Sequence, residues 1–315
     1  SNSGAGFAGA ISMEFLQVDQ WNYHLFRDYS KEKYFIDLAY GRDSKTDGVI
    51  ASTSEPKAYE IIADIVDRQV GIDSGYLNDT YDTDYEDRVN SFILTKQEPI
   101  RKVIEKLASV SPYIPKLGTL SNKITFETIP LHGGASEYTI KDSDVIDFSF
   151  TKTPIENVIT HLTFNFDYDH GLEKFQDSYS FNGDDIENLL GWNGYSTRYY
   201  FDHDKKEVID DDRGKFFSVS SPGNSVKQSA IKFAQWYWML NCNQHLIMKL
   251  KLPLSYLSLQ VGMLIDFDKI IGGIIPHGID YTSNGTLNGQ VIYNTFLITS
   301  TNKNINYIEI EAIQM

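Results

Sequence analysis

The stretch Asn157-Val-Ile-Thr-His-Leu-Thr-Phe-Asn-Phe-Asp-Tyr168 decides the fold class. Thr160, Leu162, Phe164, Phe166 and Tyr168 fall on one side of an extended chain. His161, Thr163, Asn165 and Asp167 fall on the other. This period of two predicts a long strand with one face in a core.

The same alternation recurs on both sides. Upstream it runs through Ile124-Phe126-Thr128, Tyr138-Ile140 and Ile146-Phe148-Phe150. Farther back, 11–52 reads as strands, with Tyr34, Ile36, Leu38 and Tyr40 alternating before the turn Gly41-Arg42-Asp43. Downstream come Leu246-Met248-Leu250-Leu252, Met263-Ile265-Phe267, 290–299 and 306–314. Several short strands following a helix suit a small barrel or split sandwich.

Helical spacing interrupts the strands three times. Over 54–70, Ser54 can cap, Pro56 suits the first turn, and Ile61, Ile62, Ile65 and Val66 make an apolar stripe before Gly71. From Glu98-Pro99 to about Val110, Ile100, Val103, Ile104 and Leu107 share a face, and Ser111-Pro112 ends the helix. From Ser225 to Asn241, Ala230, Phe233, Ala234, Tyr237 and Trp238 are apolar nearly all round, which predicts burial between layers. Residues 73–90 read as an acidic loop. Residues 169–224 are rich in Gly, Asp and Tyr. Within 167–212 stand 13 Asp/Glu against 4 Lys/Arg, a net −9. This stretch reads as an excursion carrying one short helix, Asp184–Leu190, stopped by Gly191. The expected class is therefore α+β and β-dominated. The expected parts are an N-terminal β segment (1–52), a mixed module (53–145), and a barrel-like module (146–315) with its acidic insertion at about 169–224.

The chain has 315 residues, enough for more than one core, with 41% hydrophobic and 13% aromatic residues. Its 20 Tyr and 18 Phe favour strands and interfaces. The net charge is −15 and the pI about 4.8. That field excludes tight DNA binding, which needs cations for the phosphates. It does not exclude lining a channel through which DNA slides without sticking. One cysteine, Cys242, allows neither an intrachain disulfide nor a cysteine metal cage, and reads as a small packed residue. No apolar run reaches the roughly 18 residues of a membrane span. Ser1 to Ala10 read as a flexible arm, without the basic region of a signal peptide.

Candidate chemistry is sparse. Asp79, Asp82, Asp84, Glu86 and Asp87 form one acidic cluster, and Asp202, Asp204, Asp210, Asp211 and Asp212 another around His203. Neither has the spacing of a calcium loop, so both read as solvated loops. A glycosidase carboxylate pair cannot be singled out among 43 acidic residues. The histidines His24, His132, His161, His170, His203, His245 and His277 show no zinc spacing. Asp167-Tyr168-Asp169-His170 reads as a surface turn. Nucleophile-elbow, phosphate-loop and dinucleotide motifs are absent. Trp236-Tyr237-Trp238 reads as core. Trp192, Tyr195, Tyr199 and Tyr200, in polar surroundings, are candidates for an interface or a glycan-contacting surface.

Two segments resemble tail hub proteins of tailed bacteriophages. The first is 142–168, Asp142-Ser-Asp-Val-Ile-Asp-Phe-Ser-Phe followed by Thr-Pro and the long strand, which resembles the strand bridging two hub modules. The second is 230–267: Ala230-x-x-x-Ala234-x-Trp236 on a helix, a Leu/Lys strand, Leu252-Pro-Leu-Ser-Tyr256-Leu, then Val261-Gly262-Met-Leu-Ile265. The family often has Gly-Asp where this chain has Gly262-Met263. Tyr307-Ile-Glu-Ile-Glu-Ala-Ile resembles the closing strand of such a hub. The resemblance covers 54–315. It implies small β-barrel or split-sandwich hub modules and a homotrimer at the distal end of the tail, assembled in the bacterial cytoplasm and carried in the virion. It implies partners on two faces, the tail tube or distal tail ring and the tip, spike or fibre proteins, with DNA only in passage. It brings no catalytic, cofactor-binding or metal residue, so no enzyme activity and no cofactor are expected. The other readings are a carbohydrate-binding or polysaccharide-degrading tail protein and another tube or adaptor-ring protein.

Overall fold

A computed structural model of the chain describes residues 58, 61, 62, 90, 99–111, 113–117, 124–130, 134–169, 172–191, 207–210, 213–217, 225–287 and 289–315. The expected strands within 11–52 and the loop 73–89 lie outside them. Of the helix expected over 54–70, Ala58, Ile61 and Ile62 are described, and all three are helical.

In chain order the elements are α1 (Ile100–Ser109), β1 (Tyr113–Leu117), β2 (Ile124–Thr128), β3 (Tyr138–Ile140), β4 (Asp147–Lys152), β5 (His161–Asp169), β6 (Lys174–Phe181), α2 (Gly183–Leu190) and β7 (Glu207–Asp210). They continue with α3 (Ser225–Asn241), β8 (Leu246–Leu252), β9 (Leu264–Phe267), β10 (Gly285–Leu287), β11 (Gln290–Ile292), β12 (Phe296–Lys303) and β13 (Ile308–Gln314). The described chain is β-rich with three complete helices, an α+β protein dominated by strands.

The long strand is β5. Leu162, Phe164 and Phe166 are fully buried on one face, while His161, Thr163 and Asn165 stay half-exposed on the other. β5 pairs antiparallel with β6 and parallel with β7. Its buried face meets α3. The rings of Phe164, Phe217 and Phe233 lie 5.5 to 5.8 Å apart, and Phe181 stacks on Trp238 at 5.6 Å. Val103 and Leu107 of α1 and Ile186 of α2 join this first core. Burial of Ala230, Phe233, Ala234, Trp236 and Trp238 bears out the all-round apolar reading of α3.

The composition of 169–224 hid two strands, β6 and the short β7 that pairs with β5 on its other side. Lys174–Phe181 is β6, hydrogen-bonded along β5, where an excursion was expected. Its Phe175 and Tyr179 are not buried, Asp177 stands between them, and only Phe181 enters the core, so the apolar half of the alternation is weak. The short helix sits where expected. Asn182 Oδ1 accepts from the Asp184 N–H and Asp185 Oδ2 from the Asn182 N–H. Gly191 ends the helix at φ 66°, a conformation that favours glycine.

The second core lies inside a six-stranded sheet ordered β3-β9-β12-β13-β8-β4, antiparallel except for β3 with β9. Leu246, Met248, Leu250 and Leu252 of β8 and Ile308, Ile310 and Ala312 of β13 point inward. The two edge strands follow one another in sequence. Ile140 and Asp147 lie at opposite ends of opposite edges. On a flat sheet they would stand on the order of 35 Å apart. Seven residue steps reach about 24 Å at most. The sheet therefore curls into half a barrel. A bulge in β12 between Ile298 and Ser300 adds to the curl. Gly262, at φ 92°, donates its N–H to the Ile298 carbonyl beside that bulge.

Candidate functional site

The half-barrel leaves two surfaces with something to offer a partner. The first is the outer face of β4, β8, β13 and β12. Strand alternation that sends leucines inward sends Lys249, Lys251, Glu309 and Glu311 outward. Register sets Lys249 opposite Glu311 and Lys251 opposite Glu309, and these pair at 3.1 and 3.6 Å. Lys251 also lies 4.5 Å over the Tyr307 ring. With Asp147, Ser149, Ser300 and Asn302 they line a groove of about 380 Å³. Its cations and carboxylates neutralise one another across strands, so the groove offers alternating charge to a polar surface.

The second surface is the rim at the end where β8 leaves the sheet. Ile146 donates its N–H to the Lys251 carbonyl, Leu254 follows Leu252-Pro253, and Ile305 sits in the turn joining β12 to β13. These side chains are 58%, 45% and 90% exposed, and Leu257, one turn on, is 48% exposed. Exposed branched aliphatics at one end of the half-barrel make this rim a candidate contact surface. The rim is braced from behind. Tyr256 donates its hydroxyl to Asp144 Oδ2 at 2.8 Å, and Asp142 Oδ1 accepts from the Gly272 N–H at 2.8 Å. Burial, and then the bond to Asp144, raise the Tyr256 phenol pKa.

Trp192, Tyr195, Tyr199 and Tyr200, the residues singled out from sequence, lie outside the described residues, as do Asp79 to Asp87 and His24, His132, His170 and His203. Of the second acidic cluster only Asp210 is described, at the end of β7 beside Phe164. Among the described residues no group of three His, Cys, Asp or Glu could hold a metal ion. No helix there is long and apolar enough to cross a membrane. Cys242 is fully buried, its thiol directed at the Met239 carbonyl, and burial pushes its pKa up. His161 reaches its neighbour Thr160, and His277 meets the edge of the Phe150 ring. The sequence reading missed the rim because single exposed leucines and isoleucines carry no pattern. Only the turn positions, Pro253 and Asn304-Ile305-Asn306, hint that they face outward.

No family model matches the chain, and no curated protein matches it in sequence. Solved structures similar to it include prophage tail protein gp18 from Listeria monocytogenes EGD-e, at 15% identity and a TM-score of 0.36, with 67% of this chain and 51% of that one covered. The 43 kDa tail protein of prophage MuSo2 from Shewanella oneidensis has 11% identity and a TM-score of 0.40, over 82% and 66%. A chain of the phage P2 baseplate in its activated conformation with Ca has 10% identity and a TM-score of 0.24, over 82% and 65%. This chain spans about half to two thirds of the length of those chains. TM-scores below 0.5 establish no shared fold. These three solved structures are of tail and baseplate proteins of phages and prophages.

Proposed function

We propose that the chain is a structural subunit of a phage tail, a hub that trimerises at the distal end and joins the tail tube to the tip or fibres. The rim carries the proposal: Ile146, Leu254, Leu257 and Ile305 expose apolar surface at one end of the half-barrel, the kind of surface that contact with further subunits would bury. The hub-like segments 142–168 and 230–267 supply β4, β8 and β9 of this half-barrel and three of the four rim residues, Ile146, Leu254 and Leu257, which joins the sequence resemblance to the surface. The net charge of −15 fits the remaining role, an acidic channel wall that repels DNA in passage. On this reading the chain works by contact and needs no reaction centre, and its partners are two further copies, the tube above and the tip below.

The test is electron imaging of tails that carry this chain. Three copies around the axis at the distal end are expected. Six copies, or a position along the shaft, would contradict the hub and favour a tube or adaptor ring.

A further inference from the structure

The turn between α3 and β8 holds a buried histidine that ties three elements together. His245 is 7% exposed. Its Nε2 lies 2.6 Å from the Leu240 carbonyl oxygen and its Nδ1 2.7 Å from that of Gln314. Leu240 lies in the last turn of α3, whose helix packs in the first core, and Gln314 ends β13. The backbone of the same residue holds the chain just beyond β4. Its N–H donates to Thr153 Oγ1 at 3.1 Å, and its carbonyl accepts from the Thr153 N–H at 2.9 Å. One residue thus joins the helix of the first core to two strands of the second.

A neutral imidazole carries one N–H and can donate to only one of the two carbonyls. Protonation would complete the second bond, but it would also place a charge in a buried site where no carboxylate among the described residues pairs with it. We propose that His245 is an acid-released latch between α3 and the half-barrel: neutral, it stays buried and holds the junction, and protonation drives it toward solvent and loosens the ends of β13 and β4.

The sign follows from the balance of influences. Burial is the largest and lowers the imidazole pKa below its ordinary 6.5, while the bonds to Leu240 and then Gln314 raise it by less. The titratable groups beside the bonded residues are Tyr237 on α3, Cys242 in the turn, Lys152 at the end of β4 and Tyr293 ahead of β12; Lys227 and Lys232 on α3, Asp147 on β4 and Glu309 and Glu311 on β13 stand farther along the same elements. None of them enters that balance. A group whose pKa is lower in the closed arrangement favours that arrangement at high pH. The stabilisation is present above 6.5 and is lost as pH falls toward and through the lowered value.

Hydrogen exchange of the full chain at pH 7 and pH 5, corrected for intrinsic rates, tests this. The Thr153 and Met315 amides, bonded to the His245 and Thr295 carbonyls, report the two strands. Their exchange should quicken several-fold at pH 5 in the wild type and hold steady in His245→Gln, which is neutral throughout. Equal protection at both pH values overturns the proposal, as does tighter protection in acid or the same acid loss in His245→Gln. Should that variant not fold, ring nitrogen NMR of the wild type decides: a buried ring titrating below 6.5 with loss of the two strand protections is expected, and one titrating above 6.5 overturns it.

Discussion

Gly214 presses its α-carbon on the backbone of β5, where an added methyl would overlap the Asn165 carbonyl. Backbone cannot step aside as a flexible side chain can. Gly214→Ala is therefore expected to cost about 3 kcal/mol, read from urea denaturation midpoints. Nothing in the sequence around Arg213-Gly214-Lys215 announces this. The requirement comes from Asn165 in a strand 49 residues upstream, which local pattern does not report. Tyr281 gives a residue-scale prediction of another kind. Burial raises its phenol pKa to about 12, from an ordinary 10. Folding then favours the neutral phenol, and this contribution is intact below pH 10 and lost as pH rises toward 12. Thermal melts between pH 9 and 11.5 should fall less steeply for Tyr281→Phe than for the wild type.

At the scale of elements, legibility followed how much of a pattern the core enforces. β5, β8 and β13 bury every second residue, and their alternation is visible in the sequence. α1 and α3 were equally plain, through Val103 and Leu107 on one face and through apolar residues all round. β1 was missed because Pro115 stands in its middle, a residue that argues against strands and is tolerated in this two-stranded ribbon. β6 was missed because one residue, Phe181, carries its burial. The capping box of α2 was half legible: the helix and Gly191 were read, but Asn182 as its cap was not. Asn182→Ala is expected to lower stability by about 1 kcal/mol, and Asn182→Asp to be nearly neutral, by thermal denaturation. The exposed Lys249–Glu311 pair should matter little. Its removal in Lys249→Gln is expected to change stability by less than about 0.5 kcal/mol.

At the scale of the whole molecule, two cores meet along α3 and the start of β8. The curl of the six-stranded sheet follows from a short link between its own edges, a consequence of chain length that local alternation does not state. Class and the strands that bury alternate residues were therefore readable in the sequence, whereas the half-barrel and its rim emerged only with topology. The aromatic candidates of 192–200 lie outside the described residues, and the surface that carries the functional reading was found instead at Ile146, Leu254, Leu257 and Ile305. Those four side chains are predicted to hold copies of the chain together without contributing to either core. Ile305→Asp with Leu254→Asp should leave the thermal midpoint within a few degrees while separating the subunits.

Sedimentation velocity of the wild-type chain and of that double variant tests the central claim most directly. A wild-type species at three times the 35.9 kDa chain mass, reduced to one chain in the variant, is the predicted result. A wild-type chain that sediments as a single copy at every concentration would contradict it.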